Sequence, residues 1–417
     1  MTEAAVRQSL HLASLEGRKL LIFDDMLRRI EDHPYEYALS VADMHVKCGV
    51  EVSIICHREL EDSAPFAALG VRLLPMIDFP PPLKIGGIRG ELAEMARRNW
   101  MLFWLVRKHL RENHYDLVFV PNAVLANVFV WCLLKWTRQS ASAKHLVLLI
   151  RYHFGMYTGA TYIGLKKLIW KVALKCQRRA IVLGRASVVA DSSRLASDYA
   201  EISGVKARVV PSPRTMPAPA SEPPFKSTDR ITFGALGSAR YDKGSDLFQG
   251  AIKLLAKGRR DAGMKFVLQW HRPMQLPSGS ICEIDAELSS KENVTYVREP
   301  LNSSDYDDLF RSIDCMVLPY RRELYRSSIS GVCVEAACAG VPVICCDGTW
   351  LADFIADQGA GIVVPEGDVS ALAQAIETIA NGIDRYSQEA RTISLRAREQ
   401  NSPRRFMETL WQDLGTS

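Results

Sequence analysis

Short apolar runs alternate with longer stretches of helical periodicity through the first half of the chain. Runs such as "KLLIFDD" and "EVSIICH" are rich in Val, Ile, Leu and Phe and are typical of buried strands. The predicted strands lie at 19–25, 51–57, 71–77, 115–122, 144–153, 186–193 and 207–213. Because helical segments separate these runs, the pattern predicts βα units and a parallel sheet covered by helices on both faces.

A proline-rich segment interrupts this alternation. "PSPRTMPAPASEPPF" (211–225) holds six prolines in fifteen residues, which neither a helix nor an inner strand accommodates. The alternation then resumes, with predicted strands at 230–237, 263–270, 293–297, 314–320, 341–347 and 360–368. The pattern therefore predicts a second βα domain after a linker.

The fold class is therefore α/β, with two Rossmann-like, doubly wound parallel-sheet domains. The first domain spans 1–211, the linker 212–228 and the second domain 229–401. The final segment, about 402–417, is an amphipathic helix that needs one of the two domains to cover its apolar face, and the first domain is one candidate. Open parallel sheets bind ligands at the carboxyl ends of their strands, so the two domains are expected to face a cleft.

Composition narrows the class of protein. At 417 residues and 48% hydrophobic content the chain is globular. No apolar stretch of about twenty residues is free of charge, so we expect no membrane-spanning helix, and the N-terminus predicts no signal peptide. The ten cysteines form no CxxC pair. We therefore expect reduced thiols and a cytoplasmic protein.

The net charge of +5 is unevenly distributed. No Asp or Glu occurs from 117 to 190, a span with eleven basic residues. Such asymmetry indicates an anionic partner: a membrane surface, an acidic substrate or a nucleic acid. The basic helix 162–183, which contains Trp170, predicts peripheral contact with an anionic membrane, and 98–110 has a similar composition. The alternative is two packing helices whose lysines snorkel.

A candidate anion site lies where the first strand of the second domain ends. In "LGSARYDKGSD" (236–246), Gly237 and Gly244 permit close backbone approach, and Arg240 and Lys243 place two cations beside a helix N-terminus. Helix N-termini bind phosphates, so the segment predicts a diphosphate site. The segment is neither a Walker loop nor a G-x-G-x-x-G motif. The alternative is a solvated turn with ordinary surface cations.

The second candidate segment is "SSISGVCVEAACAG" (327–340). It predicts a helix beginning near Ser328 that carries one carboxylate, Glu335, among residues that are expected to be buried. A buried carboxylate is costly unless it is paired. The ribose 2′- and 3′-hydroxyls of a nucleotide would satisfy it, whereas a neighbouring Arg or backbone amide is the structural alternative.

In order and spacing, these segments resemble the C-terminal domain of the GT-B glycosyltransferases of family 4. The resemblance covers "GSARYDKG", "NVTYVREPLNSSDYDDLFRSIDCMVLPY", "SSISGVCVEAACAG" and "GAGIVVPEGDVSALAQAI", within about 230–380, and is weaker in the first domain. It implies a retaining transferase that uses a nucleotide-diphosphate sugar and needs neither a metal nor another cofactor.

The resemblance also implies roles for particular residues. Arg240 and Lys243 match the pair that grips the donor diphosphate, and Glu335 matches the glutamate that holds the ribose. The implied donor-binding residues are Gly237, Ser327, Ser330, Gly331 and Val332. Ser327 replaces the family's first glutamate, which changes the expected contacts to the donor hexose, and the spacing of Arg240 and Lys243 is shorter than usual.

The first domain contributes the remaining candidates. The glycine pair usual in the family is replaced by "RRIEDHPYEY", so His33 and Tyr35 are expected to shape the acceptor side. His153 follows a strand end, where the resemblance implies a histidine near the reacting sugar, although a lone histidine is more often structural.

The resemblance thus implies a hexosyltransferase that acts on a glycan or lipid-linked glycan in polysaccharide or glycolipid biosynthesis. The expected location is the cytoplasm, and peripheral contact would be with the cytoplasmic face of a membrane. The alternatives are a nucleotide-binding scaffold without catalysis, a sugar-nucleotide epimerase and an inverting transferase. Nucleic-acid binding is disfavoured because no reading motif accompanies the basic residues. An oxidoreductase is disfavoured because the dinucleotide fingerprint is missing.

Overall fold

The computed structural model describes residues 15–29, 33–83, 87–134, 142–154, 162–213 and 230–414. The chain divides into two compact units. The first unit comprises Met1–Thr215 together with Ser402–Ser417, and the second comprises Met216–Asn401.

Parallel strands form the sheet of the first unit. They are β1 (Lys19–Phe23), β2 (Glu51–His57), β3 (Arg72–Ile77), β4 (Tyr115–Val120), β5 (Ala143–Ile150), β6 (Ala186–Ala190) and β7 (Arg208–Val209). Within the described residues the sheet has seven strands in the order β3-β2-β1-β4-β5-β6-β7. The connecting helices are α1 (His33–Val46), α2 (Ala64–Ala68), α3 (Gly87–Glu112), α4 (Val128–Leu134), α5 (Ile163–Val182) and α6 (Ser193–Ser203).

The strands of this sheet are buried on both faces because helices cover each face. In β1, Leu21 and Phe23 pack with α3, α4 and α5, whereas Leu20 and Ile22 pack with α1 on the opposite face. This alternation follows from the two-residue period of a strand. It explains why β1 is apolar at successive positions instead of alternating with polar residues.

The second unit repeats this architecture. Its strands are β8 (Ile231–Ala235), β9 (Met264–Gln269), β12 (Val294–Val297), β13 (Cys315–Leu318), β14 (Val343–Cys346) and β15 (Gly361–Val364), and β10 (Met274–Gln275) and β11 (Ile281–Cys282) form a separate antiparallel pair. Within the described residues the main sheet has six strands in the order β12-β9-β8-β13-β14-β15. The predicted α/β class with two parallel-sheet domains is confirmed.

Helices surround this second sheet. They are α7 (Ser245–Lys257), α8 (Ala286–Ser289), α9 (Ser303–Arg311), α10 (Arg322–Tyr325), α11 (Gly331–Ala339), α12 (Trp350–Gln358), α13 (Val369–Asn381) and α14 (Ile383–Gln400). Caps define several of the starts: Asn302, Thr349 and Asp368 each accept a hydrogen bond from the backbone N–H three residues later.

The C-terminal helix α15 (Pro403–Trp411) packs in the first unit. Its buried residues are Phe406, Met407, Leu410 and Trp411. The Trp411 indole donates to Nε2 of His45 at 3.0 Å, while Nδ1 of His45 lies 2.7 Å from the Val41 carbonyl. Burial lowers the pKa of His45 to about 4. The neutral ring can therefore donate through Nδ1 and accept through Nε2, and this bond anchors the end of the chain to α1.

Candidate functional site

The strand order of the second unit creates a topological switch point between β8 and β13. From β8 the chain proceeds outward through β9 to β12, and it then returns to place β13 on the other side of β8. The loops that leave the carboxyl ends of β8 and β13 therefore diverge and leave a crevice, which is where open α/β sheets bind ligands. The first of these loops holds segment 236–246, and the second leads into segment 327–340, the other stretch that the sequence singled out.

The loop after β8 depends on two glycines in the left-handed region. Gly237 has φ +90°, and a Cβ there would lie 2.6 Å from Nζ of Lys243, so the lysine side chain crosses the open face of Gly237. Gly244 has φ +65°, and a Cβ there would lie 2.1 Å from the carbonyl oxygen of Pro319. Only glycine fits this approach, which brings the start of α7 against the end of β13.

The two predicted cations lie in this loop. Arg240 donates to Asp242 and, at 2.9 Å, to the hydroxyl of Tyr325. Burial opposes the charge of Arg240, but Tyr325 and Asp242 outweigh it, so its pKa is raised. Nζ of Lys243 lies 6.0 Å from the ring centroid of Tyr320. Both cations stand just before the N-terminus of α7, whose first N–H groups favour an anion.

Arg321 joins the two loops, and sequence reasoning missed it. Its guanidinium donates to both carboxylate oxygens of Asp246, at 3.0 and 2.7 Å. It also stacks on the ring of Tyr241, 3.6 Å from the centroid. This bidentate pair holds the first turn of α7 beside the loop after β13. The only signal in the sequence is an Arg-Arg pair shortly after a buried strand.

The serine segment ends in a capped helix. Helix α11 begins at Gly331, and Ser330 is its N-cap, accepting from the backbone N–H of Cys333 at 3.3 Å. The predicted start near Ser328 was therefore too early, because Ser330 provides the cap. Ser327 is buried, and the buried Oγ of Ser328 has no hydrogen-bond partner among the described residues. Val332 lies in the first turn of α11 and is partly exposed.

Glu335 is partly exposed, whereas its neighbours Val334 and Ala336 are buried. The expectation of a buried carboxylate was therefore wrong, because Glu335 lies on the same partly exposed face of α11 as Gly331 and Val332. The hydroxyl of Tyr306, on α9, donates to Oε2 of Glu335 at 2.7 Å. This bond orients the carboxylate of Glu335, a group that accepts several hydrogen bonds when it is ionised.

The described candidates in the first unit, Tyr35 and His153, contact different neighbours. The side chain of His33 is outside the described residues. Tyr35 is buried against Phe66, at 5.3 Å between ring centroids, and its hydroxyl donates to the Asp62 carbonyl at 3.1 Å. His153 follows β5, and its Nε2 lies 3.6 Å from a carboxylate oxygen of Asp198. Tyr35 therefore connects α1 to the loop before α2, and His153 connects β5 to α6.

Sequence reasoning missed a buried polar cluster in the first unit, whose switch point lies between β1 and β4. We call it the β1–β4 cluster, and it consists of Asp24, Tyr37, Asn122, Arg151 and Asp191. Asn122 donates to Asp24 at 3.0 Å, and Arg151 donates to Asp191 at 3.0 Å. The guanidinium of Arg151 lies 4.3 Å from the ring centroid of Tyr37. Polar residues directly after apolar strands, as in "LIFDD", were the available signal.

Burial dominates the electrostatics of this cluster. Burial, followed by the charge of Asp25, raises the pKa of Asp24 to about 7. Burial also raises the pKa of Asp191, although Arg151 opposes the shift. Burial disfavours the charge of Arg151, yet Asp191 and Tyr37 hold its pKa above the ordinary value. Among the described residues, no group of His, Cys, Asp and Glu side chains could hold a metal ion.

Two parallel-sheet units with these switch points define the chain as a protein with the GT-B fold of glycosyltransferases. Solved structures support this. Sucrose-phosphate synthase from Thermosynechococcus elongatus has a TM-score of 0.66 at 14% identity, covering 95% of this chain and 99% of its own. HepE from Anabaena, solved with UDP and glucose, has a TM-score of 0.61 at 14% identity, covering 96% and 100%. WaaG, a glycosyltransferase involved in lipopolysaccharide biosynthesis, has a TM-score of 0.59 at 14% identity, covering 95% and 100%.

The family comparison is more specific for the second unit. Residues 230–381 match the family model described as glycosyl transferases group 1. The predicted resemblance to GT-B glycosyltransferases is therefore confirmed for the second unit, whereas membership of family 4 stays a prediction. The match contains both loops of the switch point and Glu335. The search of curated proteins found no match.

Proposed function

We propose that this protein is a retaining glycosyltransferase that moves a hexose from a nucleotide-diphosphate sugar to a glycan or lipid-linked glycan. The observation that carries the proposal is the crevice between β8 and β13. There, Arg240 and Lys243 stand before the N-terminus of α7. Glu335, which Tyr306 orients, lies on α11, the helix that follows the loop after β13. A diphosphate suits the cations and the helix dipole, and a ribose diol suits the carboxylate. The structure of HepE with UDP and glucose supports a nucleotide donor.

The proposed reaction needs positioning and charge stabilisation more than it needs an enzyme nucleophile. The acceptor oxygen bonds to the anomeric carbon on the face from which the diphosphate leaves. The bond between that carbon and the phosphate oxygen breaks, and the departing oxygen takes the acceptor's proton. Arg240, Lys243 and the dipole of α7 offset the charge that develops on the diphosphate. We propose that these groups do so without a metal ion, so transfer should persist when a chelator is added.

Substitution of Lys243 and Glu335 tests the proposal. A panel of UDP-, GDP- and ADP-sugars first identifies the donor by its hydrolysis. Lys243→Ala should then slow hydrolysis and transfer roughly 100- to 1,000-fold, because it removes a charge that stabilises the leaving group. Glu335→Ala should weaken nucleotide binding. Lys257→Ala is the matched control because Lys257 is exposed at the C-terminal end of α7, whereas Lys243 precedes the N-terminal end. Wild-type rates in Lys243→Ala would refute the assignment, and an inverted product would refute retention.

The position of Ser327 favours one second candidate. Ser327 replaces the family's first glutamate and is buried, with 3% of its surface exposed, so it offers no carboxylate to a donor hexose. A protein that binds the nucleotide without transferring a sugar is consistent with this replacement. In that case calorimetry would detect nucleotide binding while every donor in the panel stayed intact.

We further propose peripheral contact with an anionic membrane through α3 and α5. Trp170 is not the anchor: it is buried, with 4% exposed, against Tyr199. The exposed aromatic side chains are Trp100 and Trp104 on α3, at 56% and 46%. On α5, Leu168 and Val172 are 56% and 48% exposed.

Charge supports an anionic membrane as the partner. Helix α5 contains Lys and Arg but no Asp or Glu, and an ion pair of 3.3 Å between Lys166 and Glu91 joins α5 to α3. Exposed Trp and Leu surrounded by cations suit an anionic lipid surface. None of the described helices is long and apolar enough to span a bilayer.

Vesicle sedimentation tests this contact. The protein should sediment with vesicles that contain anionic lipid and remain in the supernatant with neutral ones. The double variant Trp104→Ser, Leu168→Ser should lose this binding. Leu395→Ser is the control because Leu395 is 72% exposed on α14 of the second unit. Equal sedimentation of all three proteins would contradict the proposal.

A further inference from the structure

The β1–β4 cluster contains polar atoms that the fold leaves unsatisfied. The atoms are Oη of Tyr37, Oδ1 of Asn122 and Nη1 of Arg151, and none has a hydrogen-bond partner among the described residues. All three side chains are at least nine-tenths buried, with 6%, 1% and 9% of their surfaces exposed. Nearly all buried polar atoms in folded proteins are paired, so three such atoms in one cluster indicate a binding site for an absent group.

The position of the β1–β4 cluster in the sheet is typical of a ligand-binding site. Asp24 directly follows β1, and Asn122 lies just beyond β4, the neighbouring strand at the switch point. Arg151 and Asp191 follow β5 and β6 in the same way, so four strands contribute polar residues to one edge of the sheet. This is the edge at which parallel α/β sheets bind ligands.

The unsatisfied atoms specify the chemistry of the missing group. Arg151 can only donate, Oδ1 of Asn122 can only accept, and the Tyr37 hydroxyl can do either. The missing group must therefore both donate and accept hydrogen bonds. Vicinal hydroxyls of a sugar ring have this property.

Charge disfavours two alternatives, an anion and a metal ion. An anion would meet the carboxyl groups of Asp24 and Asp25, which follow β1, and of Asp191, which follows β6. A metal ion would meet the guanidinium of Arg151, which Asp191 holds in the cluster at 3.0 Å. A neutral polyhydroxyl group meets neither repulsion, because each of its hydroxyls can turn to suit a donor or an acceptor.

We propose that the β1–β4 cluster binds hydroxyls of a neutral sugar ring, with Tyr37 and Arg151 donating and Asn122 accepting. This inference rests on the proposed function in one respect: the bound sugar would be part of the acceptor. It assigns the contact to Tyr37 on α1, to Asn122 after β4 and to Arg151 after β5. His33, Tyr35 and His153 are not members of the cluster.

Saturation-transfer NMR on the full-length protein tests the inference with the methyl α-pyranosides of glucose, galactose and mannose. At least one should bind to the wild-type protein. Tyr37→Phe should weaken that binding roughly 2- to 10-fold, because one hydrogen bond to the ligand is lost. Its melting temperature should stay equal or rise, because the variant also removes an unsatisfied buried hydroxyl. A purely structural tyrosine would show a lower melting temperature and unchanged binding.

Tyr115→Phe is the matched control. Tyr115 begins β4, at the opposite edge of the sheet, and its hydroxyl lies 2.8 Å from Nε2 of His109. This variant should melt at a lower temperature and bind the sugar as the wild type does. Binding of none of the three glycosides to the wild type, or full binding to Tyr37→Phe, would overturn the inference.

UDP binding and donor hydrolysis, measured on the same proteins, separate this inference from the proposed function. UDP binding and donor hydrolysis are both assigned to the second unit, so both should be unchanged in Tyr37→Phe. Loss of sugar binding with intact donor hydrolysis therefore counts for the inference alone, whereas sugar binding without donor hydrolysis in the wild type refutes only the proposed function.

Discussion

Asp24 provides a quantitative test of the electrostatics in the first unit. Its carboxylate is fully buried and accepts hydrogen bonds from the backbone N–H of Met26 and from Asn122, both at 3.0 Å. These bonds and the charge of Arg151 favour the ionised form, but burial and the charge of Asp25 outweigh them and raise the pKa to about 7. We predict that Asp24→Asn, which keeps the shape without the charge, stabilises the protein at neutral and alkaline pH.

The sign and size of the predicted stability change follow from proton linkage. Between pH 4 and 7 the folded protein holds a proton on Asp24 that the unfolded chain releases, so raising the pH lowers the free energy of unfolding of the wild type. The slope is about 1.4 kcal/mol per pH unit. A pKa rise from 3.8 to about 7 corresponds to about 4 kcal/mol in total. The stability advantage of Asp24→Asn over the wild type should therefore grow by this amount up to pH 7 and then become constant.

Hydrogen exchange of peptides that cover β1 measures the free energy of unfolding of the first unit alone. Comparing the variant with the wild type at each pH cancels the intrinsic pH dependence of exchange. Asp43→Asn is the control, because Asp43 forms an exposed pair with Lys47, and such a pair contributes about 0–1 kcal/mol. An advantage of Asp24→Asn that is the same at pH 5 and pH 8 would refute the reasoning.

Three further predictions concern single contacts. Gly244→Ala should lower the free energy of unfolding by roughly 1–3 kcal/mol and abolish UDP binding in calorimetry, because the new Cβ would lie 2.1 Å from the Pro319 carbonyl oxygen; unchanged binding would contradict the loop geometry. Tyr306→Phe should weaken UDP binding roughly 2- to 10-fold, because Glu335 loses its 2.7 Å hydrogen bond, and an unchanged affinity would rule out an orienting role. Trp411→Ala should reduce the protection of β1 amides by about 3–5 kcal/mol, since this side chain is only 1% exposed; unaltered exchange would show that α15 does not stabilise the first unit.

Local sequence patterns were sufficient to predict part of the fold and part of the candidate site. Strands, helices and the proline-rich interruption follow from hydrophobic periodicity and from residues that cap or break elements within a few positions. The diphosphate candidates Arg240 and Lys243 were found in the same way, because a strand, a glycine turn, two cations and a helix N-terminus are contiguous in the chain. The helix start at Gly331 was misplaced because three serines compete for the cap, and only the packed backbone selects Ser330.

The sequence by itself therefore determined the two βα domains and the short segments that carry the candidate donor site. Tertiary structure decided which side chains meet, because strand order joins residues far apart in the chain: Tyr306 reaches Glu335 across 29 positions, and Asn122 reaches Asp24 across 98. It also decided which way a helix faces, turning Trp170 inward while Trp100 stays exposed. Periodicity marks an apolar face, but the choice between core and surface depends on the neighbouring elements that pack against it.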